Sequence, residues 1–188
     1  MVGSPLPGAA IVRDATTDDA EAMAVVEVAT WRASYAGILP AAHLARMSVP
    51  SSRARWLHVL GLSRRRELRV TLVAAVDDVV VAFASGGSQG DATRMARLDM
   101  LYVLPTHART GLGRELVRVF ATRMSSSGVT ALWVDVLAKN EGARRFYRAL
   151  GGIELSRTWS FWGATPIVTV SYGWSLPDGL TRIGPVVR

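Results

Sequence analysis

The hydrophobic and polar positions along the chain alternate between two periods, one typical of strands and one typical of helices. The strand pattern covers 9–13, 68–76, 79–85, 95–104, 131–137, 153–161 and 167–174. The helical pattern covers 17–37, 40–60 with a break at Pro50, 112–124 and 140–150. Residues 86–91 read as a loop, and the apolar run 131–137 predicts a strand buried on both faces.

The middle of the chain carries the clearest pattern. Leu112, Leu116, Phe120 and Met124 recur every fourth residue, which predicts a helix with one buried stripe. That helix lies between two strands, and a second helix follows. A strand–helix–strand order implies a right-handed crossover and parallel pairing of the two strands. We therefore expect α/β architecture.

Length and composition restrict the class of protein. The 188 residues suit one domain, with a flexible start at 1–8, a folded part at 9–175 and a surface tail at 176–188. No apolar run is long enough to cross a membrane, and no secretory signal is recognisable. The chain has no cysteine, which fits a cytoplasmic protein and excludes a cysteine nucleophile. Its three histidines are scattered, so no metal site is expected.

The net charge of +7 suggests an anionic partner. Residues 101–150 hold eight basic residues against three acidic ones, whereas 1–50 hold three against five. The positive charge is thus concentrated in one segment, without the long basic tail or the alternation of aromatic and basic residues typical of nucleic-acid binders. A phosphorylated small molecule is the favoured partner, and neither nucleic acid nor membrane is expected.

That basic segment contains Gly111-x-Gly113, placed between a predicted strand and a helix. A helix N-terminus leaves backbone N–H groups unpaired and binds phosphate, and glycines let the backbone approach it. Arg109 and Arg114 flank the turn. The glycines could equally do no more than shape a tight turn. The lysine of a P-loop and the third glycine of a dinucleotide-binding motif are both missing.

Two segments resemble the acetyl-coenzyme A motifs of the GNAT superfamily of N-acetyltransferases. Residues 101–113 are similar to the family's strand, Val-x-Pro and Gln/Arg-x-x-Gly-x-Gly/Ala, and 140–152 to its Asn-x-x-Ala-x-x-Phe-Tyr-x-x-x-Gly-Phe. The likeness covers most of 9–175. It implies a mixed, mostly antiparallel sheet of about seven strands flanked by helices and splayed between 95–104 and 131–137. It also allows a homodimer.

The resemblance implies that acetyl-coenzyme A binds in that splay without any metal. The cofactor-binding residues would be Leu101, Tyr102, Val103, Ala108, Arg109, Thr110, Gly111, Leu112, Gly113, Arg114 and Asn140. A bulge around 101–103 would turn backbone amides toward the thioester. Ala108 stands where the family carries Gln or Arg, so one side-chain contact to the pyrophosphate is in question. Asn140 would equally serve as a helix cap.

Amine acetylation needs a neutral amine, donors for an oxyanion and an acid for the leaving thiolate. Tyr147 occupies the position of the family's tyrosine and is expected to be that acid. Alternatively, Tyr147 is a core aromatic on the helix face that includes Ala143, Phe146 and Leu150. Direct attack within a ternary complex is expected, because no cysteine can carry the acyl group.

The base is less determined by the sequence. Asp99, Asp135 and Glu27 are candidates, each with a structural role as the alternative. Tyr35 is a candidate for the substrate pocket together with Glu27, whereas Trp31 is expected in the core. The expected partner is a small-molecule or peptide amine. A non-catalytic acyl-coenzyme A sensor of the same fold is the competing function.

Overall fold

The computed structural model describes residues 10–62, 69–88, 94–176 and Leu180. The strands are β1 (Ile11–Asp14), β2 (Arg69–Val76), β3 (Val79–Ser88), β4 (Met95–Val103), β5 (Ala131–Leu137), β6 (Ile153–Trp162) and β7 (Thr165–Ser175). The helices are α1 (Ala20–Ser34), α2 (Ala41–Arg46), α3 (Val49–Leu62), α4 (Leu112–Ser126) and α5 (Glu141–Ala149). Short 3₁₀ turns precede α1 (Thr17–Asp19) and follow β4 (Pro105–His107). The predicted α/β class is confirmed.

The seven described strands form one mixed sheet in the order β1-β2-β3-β4-β5-β7-β6. Neighbouring strands pair antiparallel except β4 and β5, which are parallel, as the strand–helix–strand order predicted. The parallel pairing extends only from Met95↔Ala131 to Arg97↔Trp133, although β4 continues to Val103 and β5 to Leu137. Beyond Arg97 the two strands diverge. The predicted splay is therefore present in the centre of the sheet.

Helices cover both faces of the sheet. The predicted stripe of α4 is buried in one core cluster, together with Tyr147 and Leu150 at the end of α5. On the opposite face, Met23 of α1 and Trp56 of α3 pack against Phe83 of β3. The divergence of β4 and β5 thus lies between two well-packed layers. None of the described helices is long and apolar enough to cross a membrane.

Strand β5 differs from its prediction. Leu132, Val134 and Val136 are buried, but the residues between them are only half-buried. A continuous apolar run was expected to be covered on both faces. One face of β5 instead borders the open space beside β4, which leaves Asp135 accessible.

Two predicted interruptions of secondary structure, a helix break at Pro50 and a loop at 86–91, also differ from the structure. Pro50 does not interrupt a helix, because it occupies the first turn of α3, where a missing N–H costs nothing. Gly86 belongs to β3 and not to a loop, and residues 89–91 of that loop lie outside the described part. A Cβ at Gly86 would meet Arg97 O at 2.1 Å, so only glycine allows β3 and β4 this approach.

The predicted surface tail is wrong at two positions. Leu176 and Leu180 are buried in the α4-side core, and the Leu176 N–H donates to Thr130 O at 2.8 Å. The rest of 177–188 and the predicted flexible start at 1–8 lie outside the described residues.

Candidate active site

A cavity of about 270 Å³ opens where β4 and β5 diverge. Its walls come from the end of α1 and from β4, β5 and α5. The sequence-predicted residues that line it are Tyr35, Asp99, Leu101, Tyr102, Asp135, Asn140 and Tyr147. Residues from four separate segments of the sequence are thus brought together around one space.

A β-bulge next to the cavity sits at Asp99. Ser85 pairs with Met100 and Gly86 with Leu98, so Asp99 has no opposite residue on β3. The predicted bulge at 101–103 is therefore wrong in position by a few residues. A bulge reverses the alternation of side chains. Leu101 consequently packs on the α4 side together with Leu98, and the side chain of Tyr102 packs on the α1 side.

The loop before α4 forms an anion cradle. Arg109 and Gly111 both have left-handed backbone conformations, at φ 66° and 94°. The Thr110 hydroxyl donates to His107 O at 2.7 Å and holds the loop. Glu115 is the first residue of α4 whose backbone N–H has a hydrogen-bond partner; it donates to Gly111 O.

Within the described part, the six preceding N–H groups, from Arg109 to Arg114, have no hydrogen-bond partner. Such a row of free donors at a helix N-terminus suits a pyrophosphate. The side chains of Arg109 and Arg114 likewise pair with no described acid, whereas Arg118 is neutralised by Glu115 at 2.5 Å. The exposed Ala108 side chain adds no contact.

Tyr147 is a buried phenol whose hydroxyl has no hydrogen-bond partner among the described residues. Its ring is fixed between Phe146, at 5.1 Å, and Trp174, at 5.9 Å between ring centroids. Burial raises the pKa of Tyr147, and the neighbouring Tyr35 adds to the rise. The phenol is therefore neutral at physiological pH and presents an available proton to the cavity.

Tyr35 and Asn140 both line the cavity, and their side chains interact. The Asn140 side chain caps α5 by accepting from the Ala143 N–H at 3.1 Å, as one of its two predicted roles required. Burial raises the pKa of Tyr35, and an interaction with the Asn140 side chain partly offsets that rise. Burial also strongly raises the pKa of Tyr102. All three tyrosines at the cavity are thus neutral.

An aromatic cluster stands beside Tyr35. Trp31 lies 4.8 Å from Tyr35 and 5.9 Å from Trp162 of β6 between ring centroids. His43 of α2 meets the Trp162 ring edge-on at 5.0 Å. Trp31 was expected in the core, but it is only half-buried. The tip of the β6–β7 hairpin therefore contacts α1, which lines the cavity, and α2.

Asp99 and Asp135 share one arginine. Arg97 Nη2 lies 3.2 Å from Asp135 Oδ2, and its Nε lies 3.4 Å from Asp99 Oδ1, too poorly aligned for a hydrogen bond. Arg69 donates to Asp99 Oδ2 at 3.0 and 3.1 Å. Burial raises the pKa of Asp99 and the adjacent Asp135 raises it further, while Arg69 and Arg97 act in the opposite direction.

The sequence analysis missed Arg69 and Arg97. Both contribute to the charge balance of the cavity, although neither belongs to a motif. A signal for Arg97 existed, because Arg97 and Asp99 are polar positions two apart in an otherwise apolar strand. The partner Arg69, thirty positions away from Asp99, could be identified only from the folded sheet.

Glu27 lies outside the cavity, contrary to its predicted substrate role. Its carboxylate is buried and its Oε2 accepts hydrogen bonds from Ser52, Arg55 and Trp56 of α3. The carboxylate therefore joins α1 to α3. Among the described residues, no three His, Asp or Glu side chains converge as a metal site.

Proteins with known structures share this architecture. The PaiA N-acetyltransferase of Thermoplasma acidophilum, crystallised with coenzyme A, superimposes with a TM-score of 0.70 at 17% identity over 88% of this chain and 99% of that one. The ribosomal-protein-S18-alanine N-acetyltransferase of Escherichia coli gives 0.64 at 19% identity over 95% of this chain and 99% of that one.

Sequence comparison gives the same result. The [ribosomal protein bS18]-alanine N-acetyltransferase of Salmonella typhimurium is 31% identical over 96 residues, which are 51% of this chain and 63% of that relative's length. The profile of the Acetyltransferase (GNAT) family matches residues 31–151, which include β4, the cradle and α5. The splayed sheet, the cradle of free N–H groups and this match lead to one conclusion: the chain belongs to the acetyltransferase (GNAT) family.

Proposed function

We propose that this protein transfers an acetyl group from acetyl-coenzyme A to a primary amine by direct attack within a ternary complex. The observation that carries the proposal is the Tyr147 hydroxyl, which has no hydrogen-bond partner among the described residues and faces a cavity between two splayed strands. The cradle at the start of α4 provides free N–H donors and positive charge, which complement a pyrophosphate. The coenzyme A named in the structure of a relative supports this choice of co-substrate.

The chain provides separate features for the two ends of acetyl-coenzyme A. The free N–H groups of 109–114, with Arg109 and Arg114, would hold the pyrophosphate. The edge of β4 facing β5 is unpaired beyond Arg97, so backbone groups at 101–103 are available to the thioester and its developing oxyanion. Asn140 lines the same cavity and would contact the pantetheine.

The reaction requires two proton transfers by residues of this chain. An alkylammonium with a pKa of about 10 must lose a proton before it can attack. Asp99 accepts that proton, and the neutral nitrogen then forms its bond to the acyl carbon. As the carbon–sulfur bond breaks, Tyr147 donates its proton to the sulfur, and the tyrosinate then takes up the second proton that the attacking nitrogen releases; Asp99 returns the first proton to solvent.

Replacing Asp99 should change the pH profile. The unprotonated carboxylate is the active form, so kcat/KM falls as the pH decreases through the Asp99 pKa, which burial raises above the ordinary value. We expect Asp99→Asn to remove this acidic limb. The rate should fall on the order of 10- to 100-fold, less than for a sole general base, because Asp135 faces the same cavity. The measurement is kcat/KM against pH.

Asp14→Asn is the matched control for that profile, because Asp14 is also paired with an arginine, Arg123 at 3.2 Å, but lies outside the cavity. An acidic limb that persists in Asp99→Asn would assign the base elsewhere.

The substrate is proposed to be a primary amine on a small molecule or a peptide. Tyr35 would stand at the entrance of the cavity that binds this amine. The relative that acts on a ribosomal protein makes a peptide amine one member of this class, and supports a cytoplasmic location. We propose no nucleic-acid partner, because Arg109 and Arg114 flank the cradle, where their charge suits a pyrophosphate.

Thermal unfolding with and without acetyl-coenzyme A, followed by a thiol-release assay on a panel of amines, tests the function. A ligand at 100 times its dissociation constant should add about 2.7 kcal/mol to the free energy of unfolding. The panel should include a peptide with an N-terminal alanine, lysine and a diamine. We expect a stability gain and thiol release with one class of amine.

The two readouts separate the alternatives. No stability gain at saturating acetyl-coenzyme A would overturn the proposal. A gain without turnover on any amine would favour the sensor of the same fold.

A further inference from the structure

The two strands that frame the cavity separate at Arg97. The last parallel pair of β4 and β5 is Arg97↔Trp133, and Asp99 and Asp135 lie two positions beyond it on their own strands. Among the described residues that line the cavity, these two acids are the only charged side chains. Two carboxylates that face one small space repel each other and tend to share a proton. A base that must be ionised therefore needs a cation close to both of them.

Arg97 lies in the position of that cation. Its Nη2 is 3.2 Å from Asp135 Oδ2 and its Nε is 3.4 Å from Asp99 Oδ1, so the guanidinium bridges β4 and β5 where their backbones separate. The Nε–H is buried and has no hydrogen-bond partner among the described residues. Buried polar atoms are nearly always hydrogen-bonded, so this exception calls for a reason.

The two carboxylates differ in how their oxygens are occupied. Asp135 Oδ1 accepts from the Ser171 hydroxyl of β7 at 2.5 Å, and Asp135 Oδ2 is paired with Arg97. Asp99 Oδ2 accepts two hydrogen bonds from Arg69 of β2, but Asp99 Oδ1 accepts none from a described residue. The oxygen that is open to a substrate proton is therefore Asp99 Oδ1.

The other groups around Asp99 do not replace Arg97. Three neutral phenols line the same cavity, those of Tyr35, Tyr102 and Tyr147. Burial raises the pKa of Asp99; Arg69 and Arg97 lower it, and Asp135 raises it further. Of the two described arginines that pair with Asp99, Arg97 is the one that also pairs with Asp135.

We propose that Arg97 is the positioning residue of the acetylation site: it pairs with Asp135, separates that carboxylate from Asp99, and leaves Asp99 Oδ1 ionised and open to the substrate amine. This role rests on the proposed function, in which Asp99 is the base. Without Arg97 the two carboxylates would share a proton, and Asp99 would be blocked at a pH at which the wild-type protein is active.

The pH profile of kcat/KM tests this role. Arg97→Met should move the acidic limb to higher pH by about one pH unit, a roughly tenfold loss of rate at a pH below the limb. Arg97→Lys keeps the positive charge and should leave the limb close to its wild-type position. The decisive variant is Arg97→Met/Asp135→Asn, which also removes the second carboxylate and should return the limb toward wild type.

A purely structural link between two strands would not behave in this way. It would lower the stability of Arg97→Met without moving the limb, and the double variant would restore nothing. Arg123→Met is the matched control, because Arg123 pairs with Asp14 at 3.2 Å outside the cavity. We expect this control to keep the wild-type pH profile.

A titration that needs no turnover separates this role from the proposed function. Carbon-13 NMR follows the Asp carboxyl groups, and the resonance that is absent in Asp99→Asn identifies Asp99. Its titration should move to higher pH in Arg97→Met. It should move to lower pH in Asp135→Asn, a variant that keeps Arg97 and so does not depend on the folding of Arg97→Met.

The outcomes are distinguishable. A wild-type protein that acetylates no amine would overturn the proposed function, while the titration would still decide whether Arg97 holds the two carboxylates apart. An Asp99 titration that is unchanged in both single variants, or that stays at high pH in the double variant, would overturn the role of Arg97. So would an Asp99 resonance that moves without the limb of kcat/KM, because Asp99 would then not be the base.

Discussion

Tyr147→Phe is expected to lower kcat by about 10²- to 10⁴-fold, which corresponds to roughly 2.7–5.5 kcal/mol of transition-state stabilisation. The substitution removes only the phenolic oxygen, and that oxygen has no partner among the described residues. The ring still fits between Phe146 and Trp174, so the fold and the cofactor site should be unchanged. The measurement is kcat and the KM for acetyl-coenzyme A, with KM expected to stay within about twofold of wild type.

Tyr172→Phe provides a matched control for this experiment. Tyr172 is also buried and its ring stacks on Tyr147 at 6.4 Å, but its hydroxyl accepts a hydrogen bond from Arg144 at 3.2 Å. Removing that hydroxyl should cost about 1 kcal/mol of stability and leave kcat nearly unchanged. If both variants kept the wild-type rate, the leaving thiolate would not depend on Tyr147, and the general-acid role would have to be abandoned.

Local sequence signals predicted much of the site. The i, i+4 stripe of α4 fixed the helix, and its position after a strand and Gly111 placed the cradle at its N-terminus. Asn140 was predicted both as a cap and as a cofactor contact, and it now caps α5 at the rim of the cavity. These features depend on contacts between residues a few positions apart, which periodicity and turn chemistry encode directly.

Features that depend on distant pairs could not be predicted. The bulge at Asp99 arises from the register of β3 against β4, and the charges around Asp99 come from Arg69 and Arg97 on two different strands. The exposure of one face of β5 has a similar origin, because an apolar run reads the same whether it faces a core or an open cleft. In each case the folded sheet, and not the local pattern, determines what a side chain meets.

Glu27 illustrates this limit and leads to a large predicted effect on stability. The sequence offered Glu27, on the first helix, as one of three candidate bases together with Asp99 and Asp135, and nothing in it indicated the partners of Glu27. The structure shows its carboxylate buried between α1 and α3, where it accepts from the buried donors Trp56 Nε1, at 3.0 Å, and Ser52 Oγ. Arg55 also donates to it but is half-exposed, so water can replace that contact.

Glu27→Ala is therefore expected to lower the free energy of unfolding by roughly 2–6 kcal/mol, because two buried donors lose their acceptor at about 1–3 kcal/mol each. Glu27→Gln keeps an oxygen acceptor in the same place and should cost only about 1 kcal/mol. Glu21→Ala is the matched control: Glu21 lies on the same helix and pairs with Arg53 of α3 at 3.1 Å, but both side chains are exposed, so the loss should stay below about 1 kcal/mol. Denaturant unfolding of the three variants measures these differences. A Glu27→Ala protein with wild-type stability and a raised KM for the amine would contradict this structural role and indicate that Glu27 binds the substrate.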